Sequence, residues 1–242
     1  MILAELEAFY SRPVAPTRRV ALGDMTLPAD PAPGFGGILL GGIIARFAPA
    51  LDVDLHDDLV VLMGELSRRS RVSQPRLRYR LQSDRVGLQR CRHRLEGDGE
   101  HLAFRFDADV GKPAQHVLCA LYAAAAIDDA TARFAVMATL RAGLSWGGRI
   151  DDSLIRHLTG HSVITTVDAL SNLIGWAFRT LGLIAPPGAD SEFGPEPPSR
   201  NEIKAAFRDQ LRLAHPDHGG SVDDAAQRIV ELTEARRILL DA

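Results

Sequence analysis

The spacing of apolar residues in this chain changes from helical to alternating and then back to helical. From Gly36 to about Arg69 the spacing is helical with a break near Pro49, and it is helical again after Pro113. Between these parts, every second residue is apolar along three short segments. The alternating residues are Leu77, Tyr79, Leu81, Cys91, His93, Leu95, Leu102, Phe104 and Phe106. This order predicts an α+β domain in which helices accompany a small antiparallel β-meander.

Proline and glycine mark the limits of that domain. Residues 1–35 contain several of both and show little periodicity, which predicts a mostly irregular N-terminal segment. The α+β domain then covers 36–162, with a role that the sequence does not indicate. We expect a long helix over 163–183, a Pro/Gly-rich loop over 184–198 and an all-α helical hairpin over 199–242.

The hairpin carries signals for where its two helices begin and end. The sequence "SRNE", from Ser199 to Glu202, matches a capping box. The first helix must end near His215, because Pro216 disfavours α geometry in the residue before it and cannot donate a helical hydrogen bond. Ser221, which is followed by acidic residues, is typical of the N-cap of a second helix.

Basic residues form a single row along the first helix of the hairpin. Lys204, Arg208 and Arg212 are four residues apart and therefore lie on one face, beside an arc of apolar residues. Gln210 is a polar exception in the middle of that arc. The pattern predicts an exposed basic surface next to a buried apolar one.

Three pieces of the C-terminal region together carry a resemblance to a known domain. They are Phe178, Leu181 and Gly182, the segment "EIKAAFRDQLRLAHPDHGG" at 202–220, and the segment "RIVELTEARRIL" at 228–239. At these spacings, residues from about 176 to 242 resemble the J-domain family, the DnaJ-like co-chaperones. The chain departs from the family in its longer loop before the hairpin and in Gln210, which stands at a usually apolar position.

The resemblance implies a co-chaperone rather than an enzyme, with no catalytic residue and no cofactor. Such proteins bind a DnaK-type heat-shock chaperone and stimulate its ATP hydrolysis. The resemblance implies that Asp217 pairs with an arginine of the chaperone and that His215 and Pro216 fix the loop. Lys204, Arg208 and Arg212 would meet an acidic groove in a steered, salt-dependent encounter. The N-terminal domain would then select the client or the location.

A second group of arginines, in the alternating segments, leaves another function open. Asp84 is the one acidic residue among ten arginines between 68 and 94. On one sheet face they could bind nucleic-acid phosphates or an acidic partner, as in a nucleic-acid-binding or scaffold protein. A solvated face paired with nearby acids (Glu96, Asp98 and Glu100) is favoured, because stacking aromatics are missing there and the net charge is -3. The candidate anion-binding residues are Arg76, Arg78, Arg80, Arg90, Arg92 and Arg94.

Two spacings have the form of metal-ligand pairs, but the sequence favours no metal site. His157 and His161 are four residues apart on a predicted helix, without the glutamate of an H-E-x-x-H motif. Cys91 and His93 are two apart on a predicted strand and therefore share its apolar face. Core packing is the favoured interpretation of both pairs, and no metal is expected.

Features that direct a chain to a membrane or out of the cell are not found. The start "MILAELEAFYSR" lacks the basic and long apolar regions of a signal peptide. The longest apolar run ends at Arg46 after roughly a dozen residues, short of the ~20 that span a bilayer. Cys91 and Cys119 form no C-x-x-C pair, which suits a reducing compartment. We therefore expect a cytoplasmic protein with no membrane span.

Overall fold

The computed structural model describes residues 1–15, 17–30, 32–97, 101–160, 170–184, 198–214 and 222–241. The chain divides into two units, Met1–Gly160 and His161–Ala242, and each is described by itself. The first unit has the predicted mixture of helices and strands, and the described part of the second is helical. The mixed α+β class is therefore confirmed.

A five-stranded sheet forms one layer of the first unit. Its strands are β1 (Ile2–Tyr10), β2 (Arg19–Thr26), β3 (Arg80–Leu81), β4 (Gln89–Gly97) and β5 (Leu102–Phe106). Their order across the sheet is β3-β2-β1-β4-β5, which makes β1 the central strand. All neighbours are antiparallel except β2 and β3, which pair in parallel over two residues.

The prediction that residues 1–35 are mostly irregular is wrong, because they supply the central strand and one of its neighbours. Along β1, Leu6 and Ala8 are buried in the core, whereas Glu5 and Glu7 lie on the opposite face. The strand consists mainly of Ala, Glu and Leu, which individually favour helix. Local propensity therefore hides a strand that is stabilised by its pairing with β2 and β4.

The predicted meander is confirmed only at β4 and β5. The third expected strand, at 76–81, is reduced to β3, and β3 pairs with β2 rather than with β4. Leu77 and Arg78 have φ angles of 44° and 67°, and two backbone hydrogen bonds of 2.9 and 2.8 Å join Arg76 and Tyr79. Because positive φ is incompatible with an extended strand, the alternation here marks a tight turn with buried apolar side chains.

Helices cover the core face of this sheet. Those described in the first unit are α1 (Gly34–Phe47), α2 (His56–Ser67), α3 (Pro113–Ala125), α4 (Ala130–Leu144) and α5 (Asp152–Thr159). α1 and α3 both contact β1, and α1 also packs against α4. That packing is close: a Cβ atom on Gly143 would lie 2.3 Å from the carbonyl oxygen of Gly41. No helix in the described ranges is long and apolar enough to cross a membrane.

In the second unit, the described helices that follow residue 172 are α6 (Leu173–Leu181), α7 (Arg200–Ala214) and α8 (Val222–Asp241). The predicted long helix over 163–183 is interrupted at Asn172, which has φ −145° and ψ 74°. Its side chain accepts a hydrogen bond of 2.7 Å from the Gly175 backbone N–H, as an N-cap does. Residues 161–169 lie outside the described part. A new helix starts at Leu173, because the Asn172 side chain, in place of a backbone carbonyl, accepts the hydrogen bond from the Gly175 N–H.

One apolar core joins α6, α7 and α8. The Arg200 side chain donates a hydrogen bond of 3.1 Å to the Leu240 carbonyl, so α7 begins where α8 ends and the two helices are antiparallel. The predicted capping box is confirmed, because the Ser199 N–H donates to the Glu202 carboxylate at 2.7 Å and the Glu202 N–H donates to the Ser199 hydroxyl at 3.3 Å. The buried core residues are Ala177, Phe178, Leu181, Ile203, Leu232, Ala235 and Leu239.

Candidate functional site

The first candidate site is the basic row, which we define as Lys204, Arg208 and Arg212 on α7. All three side chains are exposed, while Ile203 on the other side of the helix is buried in the core. Asp209 lies 3.8 Å from Arg212 at the end of the row. Eight residues of helix separate its first and last members, which places the charges along roughly 12 Å.

A shallow groove lies beside the basic row. Lys204 and Arg208 line it together with Phe207, Arg236 and Leu240. The Arg236 guanidinium carbon is 4.4 Å from the centre of the Phe207 ring, within cation–π distance. The row thus continues onto α8 as a basic surface with an apolar floor, a combination that suits an acidic protein partner.

The structure does not describe the loop that the sequence predicts at the centre of this site. His215, Pro216 and Asp217 lie outside the described residues, between the end of α7 at Ala214 and the start of α8 at Val222. Gln210, the polar exception in the apolar arc, is half-buried next to the end of α6. A Cβ atom on Gly182, where φ is +67°, would lie 3.1 Å from the Gln210 amide nitrogen.

The second candidate surface consists of the β4 arginines, Arg90, Arg92 and Arg94, on the outer face of the sheet. Glu7 and Glu5 of β1 stand opposite Arg92 and Arg94 in the strand register. Arg94 is 2.5 Å from Glu5, Arg92 is 3.3 Å from Glu7, and Arg90 also pairs with Glu7. The carboxylates that form ion pairs with these arginines belong to β1 and not to residues near the arginines in the sequence.

The remaining candidate arginines lie elsewhere in the first unit. Arg76 pairs with Asp58 at 2.6 Å and with Glu65 at 2.5 Å, both on α2. Arg78 pairs in the same way with two acids just before that helix, and Arg80 is exposed on β3. The expected pairing with Glu96 is wrong, because Glu96 pairs with Arg105. The other expected acids, Asp98 and Glu100, lie outside the described residues. The six arginines therefore do not form one face, and five of them are in ion pairs.

A third arrangement, in the core of the first unit, brings Cys91, His93 and His116 together. Cys91 and His93 share the core face of β4, and α3 places His116 above them. The His93 Nε2 atom is 2.9 Å from His116 Nδ1, and Cys91 Sγ lies 3.5 and 3.9 Å from these two atoms. The Tyr10 hydroxyl is 3.2 Å from His116 Nδ1. We call these three residues the Cys–His cluster.

Burial sets the protonation of the Cys–His cluster. All three residues are at most 1% exposed. Burial lowers the pKa of His93 to about 4, and burial, His93 and Arg46 together lower that of His116 to about 3. Burial and Asp107 raise the pKa of the Cys91 thiol to about 12. Both imidazoles are therefore neutral at pH 7, which is the form that can bind a metal ion.

Sequence spacing alone could not identify this cluster. The sequence places Cys91 and His93 correctly in the core but contains no signal that pairs them with His116, 23 residues beyond His93 on a helix. For His157 and His161, the other pair with a metal-like spacing, the prediction of core packing is wrong at His157. His157 is exposed rather than packed in a core, and its ring nitrogen donates to the Ala142 carbonyl at 2.9 Å. Its predicted partner His161 lies outside the described residues.

Comparisons of the chain with protein families, curated proteins and solved structures find no match. Function must therefore be argued from the geometry of the sites themselves. The basic row belongs to the region that resembles a J-domain, whereas the Cys–His cluster belongs to the first unit and is independent of that resemblance.

Proposed function

We propose that the chain is a cytoplasmic J-domain co-chaperone. It binds a DnaK-type chaperone through the basic row and the loop residues His215, Pro216 and Asp217, and it stimulates ATP hydrolysis by that chaperone. The first unit serves as the targeting or client-binding module. The chain performs no chemistry of its own in this role.

The observation that carries the proposal is the exposure of the basic row. Its three cations lie on the solvent side of α7, and the last of them, Arg212, precedes His215 by only three residues. An acidic groove on a chaperone would be attracted by this row and guided towards the loop that follows it. The cation–π pair of Arg236 and Phe207 extends the same surface.

The apolar residues behind the resemblance give further support. Phe178 and Leu181 on α6 pack with Ile203 on α7 and Leu232 on α8 in a single core. These positions serve the packing of the three helices, which leaves the exposed basic row available to a partner. Gln210 is accommodated at the end of α6 next to Gly182, so this departure from the family is compatible with the packing.

The test is the steady-state ATPase rate of a DnaK-type chaperone in the presence of the full chain. We expect wild type to raise the rate several-fold in a saturable way and Asp217→Asn to leave it at the basal value. The change removes the negative charge that, in the proposed function, pairs with an arginine of the chaperone.

A matched control is Asp57→Asn, which makes the same chemical change at an exposed position of α2, outside the proposed binding surface. We expect this variant to stimulate the chaperone as wild type does. Circular dichroism of all three proteins would verify that they are equally helical. Equal ATPase rates with wild type and Asp217→Asn would refute the proposal.

The alternative, a nucleic-acid-binding or scaffold protein that uses the arginines around 68–94, has less support. Five of its six candidate arginines are already in ion pairs, so fewer of their charges are available to phosphates. A filter-binding series at low and rising salt separates the two functions. Salt-sensitive binding that is lost in Arg92→Ala would favour the alternative.

A further inference from the structure

The three donor atoms of the Cys–His cluster are spaced as the ligands of one metal ion would be. Zinc binds nitrogen at about 2.0–2.1 Å and sulfur at about 2.3 Å, so tetrahedral coordination separates two nitrogens by roughly 3.3 Å and a nitrogen from a sulfur by roughly 3.6 Å. The observed separations are 2.9 Å for the two nitrogens and 3.5 and 3.9 Å for sulfur to nitrogen. Each agrees with its ideal value to within roughly half an ångström.

Hydrogen bonds alone do not satisfy all the ring nitrogens of the Cys–His cluster. His93 Nε2 and the Tyr10 hydroxyl lie 2.9 and 3.2 Å from His116 Nδ1. A ring nitrogen has one hydrogen-bonding position, either an N–H or a lone pair, so the two groups compete for His116 Nδ1. Among the described residues, His93 Nδ1 has no hydrogen-bond partner, so packing against Phe47 and Phe106 holds the ring.

We propose that Cys91, His93 and His116 bind one Zn²⁺ ion in the core of the first unit. The Tyr10 hydroxyl then occupies the fourth coordination position of the ion. The ion accepts lone pairs from both imidazoles and from the thiolate, so it removes the competition for His116 Nδ1. It also links strands β1 and β4 to helix α3.

The chemistry of the donors selects the ion. Two imidazole nitrogens and one thiolate sulfur suit zinc, whereas Ca²⁺ and Mg²⁺ require oxygen ligands. On binding, the Cys91 thiol loses one proton to solvent and becomes the thiolate ligand; the step involves no oxidation or reduction. The ion and one thiolate together carry a single net positive charge. Asp107 is placed to offset this charge, since its backbone carbonyl is 3.4 Å from Cys91 Sγ.

The role of this ion is structural. Catalytic zinc sites keep one position open to water or substrate, whereas structural sites are closed. Here the ligands and Tyr10 are at most 1% exposed, and the rings of Phe47 and Phe106 flank the histidines. No route for a substrate is needed, and bound zinc would stabilise the first unit by mass action.

The test uses the full chain, freed of metal by dialysis against a chelator and then titrated with Co²⁺. Cobalt bound to a thiolate and imidazoles in tetrahedral geometry gives a sulfur-to-metal charge-transfer band and intense visible bands. We expect these bands to saturate at one ion per chain, with release of about one proton, and to disappear when Zn²⁺ is added. Cys91→Ala and His116→Asn should each weaken zinc binding at least about tenfold.

Cys119→Ala is the matched control, because Cys119 is also fully buried but does not belong to the cluster. It should bind zinc as wild type does. A wild type without the charge-transfer band overturns the proposal, even where ions bind to histidines elsewhere. So does a folded Cys91→Ala that binds zinc as tightly as wild type. If Cys91→Ala does not fold, the cobalt spectrum of wild type decides.

Discussion

The basic row of the second unit and the β4 arginines of the first are both regularly spaced basic residues on one face of an element, but their surroundings are opposite. The β4 arginines lie beside Glu5 and Glu7 of the central strand, and every one of them is in an ion pair. The basic row projects into solvent from α7, with Asp209 3.8 Å from its last member.

The difference shows that the neighbouring element, and not the arginine pattern, decides what such residues do. Cross-strand pairs of opposite charge contribute about 0.2–1 kcal/mol each to a sheet, so the β4 arginines serve the fold. Among the described residues, the one acid paired with the basic row is Asp209 at its end, so most of the row's charge leaves a positive field in solution, which raises the rate of encounter with an acidic surface. Changing one charge on each surface therefore tests the division between folding and binding.

The largest effect is expected from reversing a charge in the basic row. Arg208→Glu places a carboxylate where the acidic groove of the chaperone would approach, so like charges repel. We expect the concentration of chain for half-maximal stimulation of the chaperone ATPase to rise about tenfold or more, which corresponds to roughly 1.4 kcal/mol. A titration of the full chain at constant salt measures it.

Arg92→Glu is the counterpart on β4. It should leave the half-maximal concentration within about twofold of wild type, because its side chain belongs to a sheet ion pair. If Arg92→Glu impairs stimulation as strongly as Arg208→Glu, the division between the two surfaces is lost. A weaker effect of Arg208→Glu at high salt would agree with an electrostatic cause.

A smaller effect, on stability, is expected from removing the acid behind the β4 arginines. Glu7 is 4% exposed and accepts from Arg90 and Arg92. Glu7→Gln removes the charge that both guanidinium groups face but keeps an amide oxygen that can still accept, and Arg92 retains Glu5, so we expect the free energy of unfolding of the first unit to fall by about 1 kcal/mol. Urea unfolding followed by Trp146 fluorescence in a Trp176→Phe background measures it.

The control for Glu7 is Glu96→Gln, which removes a partly exposed acid that pairs with the exposed Arg105. Exposed pairs contribute about 0–1 kcal/mol, so this variant should unfold almost as wild type does. Chaperone stimulation should be unchanged in both variants. Equal destabilisation by the two changes would mean that the burial of Glu7 adds nothing.

How much could be predicted from sequence follows from the range of the interactions involved. The helices α1 to α5 lie in segments whose apolar residues have helical spacing and were predictable, as was the capping box of Ser199 and Glu202, because these signals are local. β1 was not, since helix-favouring residues become a strand only through pairing with β2 and β4. The turn at Leu77 was hidden for a related reason, because buried alternating residues do not reveal a positive φ.

The sites follow the same rule. The position of the basic row was predictable from one helix, because four-residue spacing fixes a face. The partners of the β4 arginines were not, since Glu5 and Glu7 are more than eighty residues away in sequence. The Cys–His cluster was half predictable: Cys91 and His93 share a face by alternation, but only the packing of α3 on the sheet brings His116 to them.

The smallest effect is expected from a carboxylate that serves neither surface. Glu202 caps its own helix: hydrogen bonds from the Ser199 side chain and backbone lower its pKa below the usual 4.5. Because the pKa is lower in the folded state, this contribution to stability is fully present above pH 4.5. It is lost as the pH falls through the folded-state pKa.

Glu202→Gln keeps an amide oxygen that can still accept from Ser199, but it removes the charge and its favourable interaction with the N-terminus of α7. We expect the melting temperature of the second unit to fall slightly at pH 7, and the difference from wild type to shrink as the pH falls from 4.5 through the folded-state pKa. Trp176 fluorescence in a Trp146→Phe background follows that unit. A difference that does not shrink with falling pH would assign the effect to lost packing rather than to charge. We expect Glu202→Gln to stimulate the chaperone as wild type does. That result would show that Glu202 stabilises α7, whereas the cations of the basic row, as we propose, bind a partner.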